Sequence, residues 1–280
     1  MATVAERNRE IAREWRAIVE LPGAWRRASS QAGGLLVAAP GEAGGFFVEV
    51  DAVPGRRAYL KPLKKHGWRR AAREKIASDL AYEVGVSVPP VLLTVNEKVP
   101  DAERWACVSL LMYPHQFSWG QIRNFLAEGE SPIVPEISAL MSAPASRAIA
   151  FDTWLDQTDH NDHPSNIVFG YEGSAYQSGV FVFLDYAFSM GVSGTWKDEG
   201  FRACGPAPFP PRMCGSLSVP VLEQVISAIE AVPDDVVLDV VQRVPWQWLP
   251  DDEKQVILAG LLGRRRLVRA ALGRYLGRSQ

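Results

Sequence analysis

The sequence predicts an α+β fold of two lobes, a small β-rich N-terminal lobe carrying one helix and a larger, mainly helical C-terminal lobe. Three observations predict it. Short apolar runs broken by Gly and Pro dominate up to about residue 115, and helix-period runs dominate from about 120 onward. Between them "WACVSLLMYP" (105–114) reads as a hinge-like strand. A chain of 280 residues is long enough for two lobes sharing a cleft, with expected extents of 1–114 and 115–280.

The elements follow in order. Residues 4–20 put Ile11, Trp15, Ile18 and Val19 on one stripe with Arg and Glu elsewhere, an amphipathic helix that stops at "LPG" (21–23). "GGLLVAA" (33–39), "GGFFVEV" (44–50) and "RRAYLKPL" (56–63) predict three short strands of an antiparallel meander. Ile76, Leu80 and Val84 recur every four residues, so a helix is expected over 70–85 with Gly85 as its stop. "VSVPPVLLTV" (86–95) and 105–114 add two strands to a small mixed sheet. A helix over 136–158 leads into "QTDHNDHPSN" (157–166), and "NIVFG" and "GVFVFLDYA" follow as two strands joined by a turn at 171–178. Residues 194–220, rich in Gly and Pro, predict a long irregular segment of the kind that is functional or mobile. The chain is helical from Val219, and its last helix is expected over 251–276 with Asp251, Asp252 and Glu253 at its start.

Composition narrows the classes. With 47% hydrophobic and 22% charged residues the chain is an ordinary globular one. A formal net charge of −2 gives no general pull toward nucleic acid or an anionic membrane, so any phosphate chemistry must rest on local groups. Three cysteines without CxxC spacing argue against a disulfide framework and fit a reducing cytoplasm. The charged N-terminal stretch has no apolar h-region, and no run approaches the roughly 18 apolar residues that a spanning helix needs. A cytoplasmic protein is expected.

The chemistry concentrates in the second lobe's polar cluster. A hairpin of "NIVFG" with "VFVFLD" would bring Asn166 near Asp185, and the loop before Asn166 would put Asp159 at the same end. Two carboxylates and a carboxamide suit Mg²⁺, a hard cation that takes oxygen ligands and shares them with substrate phosphates. Phosphoryl transfer also needs a cation on the phosphates and a carboxylate to orient the attacking hydroxyl. Lys61, at the end of an N-lobe strand, is the cation, and Glu74 on the following helix is its partner. Each residue alone reads as ordinary: an exposed lysine, a helix-start glutamate, a turn aspartate. The ordered set carries the signal. His160 and His163 raise a competing reading, an H-x-x-H zinc site, but only aspartates stand near as further ligands, so the two histidines are expected to shape the loop or contact phosphate.

"FDTWLDQTDHNDHPSNIVF" with "FVFLDYAFSMG" resembles the HipA-like kinases, especially the short bacterial HipA family kinases, a pattern shared with phosphatidylinositol 3- and 4-kinases. "YLKPL", "EKIASDLAYEVGVSVPPV" and "VVQRVPWQWLP" look like that family's Lys strand, Glu helix and helical ending, so the resemblance spans roughly residues 25–260. It implies a bilobal protein-kinase-like fold using ATP and Mg²⁺. Asp159 would orient the acceptor hydroxyl, Asn166 and Asp185 would hold the metal, and Lys61 would contact the phosphates while paired with Glu74. Backbone groups near Leu111 and Met112 would read the adenine edge, and Ser29 and Ser30 fall where the family has its phosphate-covering loop.

The pattern departs from the family at three points. Gln157 stands where Asn is usual, Tyr186-Ala187 where a Gly is common, and Asp159 lies seven residues before Asn166. Asp162 therefore stays open as the catalytic carboxylate. The resemblance does not extend to the N-terminal subdomain of full-length HipA toxins, which leaves a toxin role open. The implied activity is phosphate transfer from ATP to a hydroxyl, most simply Ser or Thr of a protein. Two alternatives remain: a lipid or small-molecule acceptor, with Arg264, Arg265, Arg266 and Arg269 facing an anionic membrane, and a nucleotide-binding pseudokinase module.

Overall fold

A computed structural model of the chain describes residues 4–22, 25–27, 45–50, 57–63, 67–95, 104–113, 115–128, 137, 139–173, 176–191, 200–215 and 217–277. The predicted strand at 33–39, Ser29, Ser30 and residues 194–199 of the irregular segment lie outside these.

Helix α1 (Val4–Ala17) leads into a six-stranded sheet made of β1 (Glu20–Pro22), β2 (Trp25–Arg27), β3 (Phe46–Val50), β4 (Arg57–Pro62), β5 (Val91–Val95) and β6 (Trp105–Leu110). The strand order is β1-β5-β6-β4-β3-β2. All neighbours are antiparallel except β1, which runs parallel to β5. The antiparallel meander is present as β2-β3-β4. Strand β2 (Trp25–Arg27), which was not expected, pairs with β3, and a further strand, β1, occupies the "ELP" where only a helix stop was expected.

Alternation along β4 decides which side chains face which helix. Ala58 and Leu60 point into a small core with Val48, Leu92, Ala106, Val108, Leu110 and Trp15 of α1. Lys61 points the other way, in register with Cys107, toward α2 (Trp68–Val84). That helix runs two residues beyond the expected start because the Gly67 carbonyl accepts the Arg70 and Ala71 amides. It ends as expected at Gly85, whose φ of +69° is a left-handed turn that glycine adopts without strain.

Beyond Leu110 the chain leaves the sheet, so the expected strand over 105–114 is shorter than read. Strand β7 (His115–Ser118), absent from the expectation, then joins a second sheet with β8 (Ile167–Tyr171) and β9 (Val180–Phe183) in the order β7-β8-β9. Ile167 opposes Phe183 in the predicted hairpin. Around this sheet lie α3 (Trp119–Glu128), α4 (Ser142–Leu155), α5 (Val219–Ala231), α6 (Asp234–Gln242) and α7 (Asp251–Arg265). Ile149, Phe151 and Trp154 of α4 are buried with Val225, Ile229, Val240 and Leu261 in the main core.

Two helices end sooner than expected. Helix α4 stops at Asp156, a non-glycine residue at φ +59°. Its carboxylate accepts from the Arg202 amide and guanidinium. Arg264 of α7 donates to the carbonyls of Thr153, Trp154 and Arg202, supplying partners for the last carbonyls of α4. The expected helix over 251–276 breaks after Arg265 into short turns at Val268–Ala271 and Gly273–Leu276, which return Val268 and Leu272 to the core. Two of the four arginines, Arg264 and Arg265, are thus committed inward. Arg265 contacts the Val232 carbonyl and Asp234, and Arg269 meets Glu223 and Glu230. No helix among the described residues is long and apolar enough to cross a membrane.

Candidate active site

Lys61 is the centre of the cleft. Its Nζ donates to Glu74 Oε1 at 3.0 Å and lies 3.1 Å from Asp185 Oδ2. Burial pulls its pKa down, but the charges of Asp185 and Glu74 outweigh this and hold it above the ordinary lysine value. Glu74 is 7% exposed, and burial pushes its pKa up to about 6 despite the pull of Lys61. Cys107 Sγ stands 3.7 Å from Glu74 Oε2, and burial keeps that thiol protonated well beyond its usual range. Burial disfavours the Asp185 charge too. Lys61 and the Ala187 amide more than compensate, so its pKa is lowered.

Asp185 is held in an unusual backbone state, φ +59°. Gln157 Nε2 donates to its carbonyl at 2.9 Å, and the 3₁₀ turn that follows it (Tyr186–Phe188) contacts α2. Glu74 and Asp185 therefore reach Lys61 from elements that touch one another.

The loop before β8 brings the next pair together. Asn166 Nδ2 donates to Asp159 Oδ2 at 2.9 Å, and His163 Nε2 lies 3.2 Å from Asp159 Oδ1. The amides of Asp162 and His163 both donate to the Asp159 carbonyl, and the Leu184 amide donates to the Asn166 carbonyl. This last bond ties the loop directly to the residue before Asp185. Burial raises the Asp159 pKa, against the pull of His163, and the negative charge of Asp185 adds to the rise. The two aspartates are electrostatic neighbours. Asp162 is exposed and accepts from Asn161 Nδ2 at 2.8 Å, outside this set.

His160 shapes the loop, as expected, through partners that the sequence did not reveal. Its Nε2 lies 2.9 Å from the Leu184 carbonyl, which can only accept, so Nε2 carries a hydrogen. Its Nδ1 is 2.6 Å from Asp152 Oδ2, and Tyr186 Oη donates to Asp152 Oδ1 at 3.0 Å. Burial opposes the imidazolium, but Asp152 and the Leu184 carbonyl prevail and the His160 pKa is raised. A buried Asp152–His160–Tyr186 unit thus pins the loop to the Asp185 turn. With His160 fully buried and His163 58% exposed, the H-x-x-H pair does not offer two imidazoles to one metal. The Asp of "FDTW" was the available signal for this unit, but nothing local marks it as a partner of His160.

At the hinge, the Leu111 amide donates to the Arg57 carbonyl, and the Met112 carbonyl accepts from Asn8 of α1 at 3.0 Å. Those two groups serve the scaffold, so a base edge would be read by others of the segment. Asp185, Asn166 and Asp159 offer only hard oxygen donors on the metal side, a set that suits Mg²⁺. No cluster of three or more His, Cys, Asp or Glu that could hold a metal occurs among the described residues. A metal here would complete its shell with water and phosphate oxygens, as Mg²⁺ commonly does.

No protein-family model matches the sequence, and no curated protein does. Among solved structures the chain is similar to the crystal structure of a Helicobacter pylori proinflammatory kinase, CtkA. The TM-score is 0.59 at 10% identity, over 94% of this chain and 99% of that one. At that identity the likeness is one of fold: the chain has a bilobal, protein-kinase-like architecture with a small sheet lobe and a larger helical part.

Proposed function

We propose that the protein is an ATP- and Mg²⁺-dependent phosphotransferase with an alcohol group as acceptor, a HipA-like serine/threonine protein kinase of the cytoplasm. In this reading residues 1–114 form the nucleotide-covering lobe and 115–280 the catalytic one. One observation carries it: a half-buried lysine lies within about 3 Å of a helix carboxylate and a strand-end carboxylate, next to a hydrogen-bonded Asp159–Asn166 pair. The kinase-like fold supports it.

Mg²⁺, when bound, would be held by Asp185 and Asn166 and would neutralise charge on the transferring phosphoryl group. Lys61, positioned by Glu74, would hold the nucleotide phosphates. Asp159, steadied by Asn166 and His163, would accept the hydrogen bond of the acceptor hydroxyl and aim its oxygen at the phosphorus. The Asp152–His160–Tyr186 unit would keep that aim fixed without touching substrate.

Asp159→Ala and Asp162→Ala test the reading by transfer of labelled phosphate from ATP to a generic protein acceptor or to the protein itself. Asp159→Ala should lose roughly 10²–10⁴-fold in rate, and exposed Asp162→Ala should stay near wild type. The reverse pattern would move the catalytic carboxylate to Asp162. Nucleotide binding without transfer by the wild-type protein would leave only a binding module. The lipid-acceptor reading is the less supported one, since Arg264 and Arg265 are buried and Arg269 is paired with glutamates.

A further inference from the structure

Beside the catalytic loop lies a cavity of about 270 Å³ lined by Trp119, Arg123, Asn161, Pro164, Pro210, Pro211 and Arg212. Its walls come from three elements: the first turns of α3, the loop containing Asp159 and Asn166, and the start of the short helix Pro211–Cys214. The walls are stiff. Trp119 and Pro210 are buried, and proline has a fixed φ. Pro164 backs onto α3, where a Cβ on Gly120 would meet it at 3.8 Å.

The charge of the cavity is the informative feature. Arg123 and Arg212 are both exposed, and neither forms an ion pair or hydrogen bond with any described residue. Most arginines near the core behave otherwise: Arg202 and Arg264 hold Asp156, Arg243 holds Asp79, and Arg265 holds Asp234. Two guanidinium groups with no anionic partner among the described residues flank an apolar concavity, and its lining includes Asn161, two positions from Asp159. Guanidinium groups match carboxylate and phosphate oxygens bidentately. A cavity of this size takes one side chain rather than a whole ligand.

We infer that this cavity is an acceptor subsite that reads an anionic side chain, Asp, Glu or a phosphorylated residue, flanking the target hydroxyl of a protein segment. The inference rests on the phosphotransferase reading and deepens it by naming the acceptor class. A protein segment is favoured because the anion must arrive together with an apolar group that fills the space against Trp119 and the prolines.

The test uses the full-length protein, a degenerate Ser/Thr peptide set with Asp, phosphoserine or Lys fixed at each flanking position, and the double variant Arg123→Ala/Arg212→Ala. Peptides with Asp or phosphoserine at one flank should be used about five- to ten-fold better than Lys peptides, through KM. The double variant should lose that preference while keeping nucleotide hydrolysis without acceptor. Asp and phosphoserine peptides distinguish the two anion sources. Fluorescence anisotropy with the same labelled peptides gives a readout independent of catalysis. Acid-selective binding that is lost in the double variant supports the subsite even if no phosphate is transferred, a result that would sink only the phosphotransferase reading. Transfer without acid preference, or a preference that survives in the double variant, overturns the subsite. So does Arg123/Arg212-dependent binding to phosphatidylserine vesicles with no peptide preference.

Discussion

Lys61 and Lys75 are both withdrawn from water, yet α2 lies between two opposite arrangements around them. In the cleft, Lys61 has two carboxylates, Glu74 and Asp185, and its pKa is raised although burial pulls it down. On another side of the helix, Lys75 Nζ donates to the Trp15 carbonyl at 2.8 Å and to Asp79 at 3.0 Å. Asp79 is also held by Arg243 at 2.7 Å. Burial dominates there and the Lys75 pKa is lowered, with the positive charge of Arg243 adding to the fall. The cleft has more anions than cations, whereas the seam has one buried anion, Asp79, for two cations, and the other carboxylate on Arg243, Asp239, is exposed. A surplus of negative charge is what a site awaiting a divalent cation needs. A seam that only joins α1, α2 and the end of α6 has no such need. Glu74 and Lys75 are adjacent in sequence, and the roughly 100° between successive helix positions sends them to different tasks.

The contrast can be broken at the lysines themselves. Lys61→Met should reduce phosphate transfer per folded molecule by about 10²–10³-fold, read by single-turnover labelling. Lys75→Met should act on the other axis. It leaves buried Asp79 with only Arg243 and the Trp15 carbonyl with only the Ile18 amide, and should lower unfolding free energy by about 3 kcal/mol in urea titrations. Turnover of its folded fraction should stay within a few-fold of wild type. If Lys75→Met instead abolishes transfer without loss of stability, the seam belongs to the site and the division of α2 into two faces is wrong.

How much of this was legible depends on the range over which each signal acts. The order of Lys61, Asn166 and Asp185 could be read because each borders an apolar run, Glu74 because it lies on the helix that follows Lys61, and Asp159 because it sits in the polar loop before Asn166. Helix α2 and its Gly85 stop were legible for the same local reason. Strand β1 was not: three residues containing a proline hold no periodicity, and the strand exists only because β5 offers a partner edge. Strand β7, "HQFS", is legible only through its pairing with β8. The Lys75–Asp79 pair looks in sequence like any solvated i,i+4 pair. It is buried because Arg243, 164 positions from Asp79, completes it. The arginine run near the C-terminus read as a helix face or a membrane contact for the same reason. Its partners are backbone carbonyls for Arg264 and Arg265 and carboxylates for Arg265 and Arg269, all more than thirty residues away, and such distant partners leave no local mark in a sequence. His160 and His163 make the point within one loop, since identical side chains three residues apart lie in the core and in water.

Glu74 sharpens the comparison with the smallest effect. Its pKa of about 6 exceeds the usual 4.5, so the folded protein binds this proton more tightly than the unfolded chain does. The associated stabilisation is complete below about pH 4.5 and is lost as pH rises through about 6, which leaves ionised Glu74 costing roughly 2 kcal/mol at neutral pH. Glu74→Gln removes the titration. In melts from pH 4.5 to 7.5, the stability of the variant relative to wild type should climb by up to about 2 kcal/mol and then level off. Transfer should move the opposite way. Wild-type activity rises over the same interval as the charged carboxylate fixes Lys61, while the variant stays flat and roughly ten-fold or more lower at pH 7.5. Stability gained where activity is lost is the mark of a charge retained for the site rather than for the fold. A relative stability that does not change between pH 4.5 and 7 would mean that Glu74 is as comfortable ionised as any scaffold carboxylate, and the cleft would lose the surplus charge that separates it from the seam.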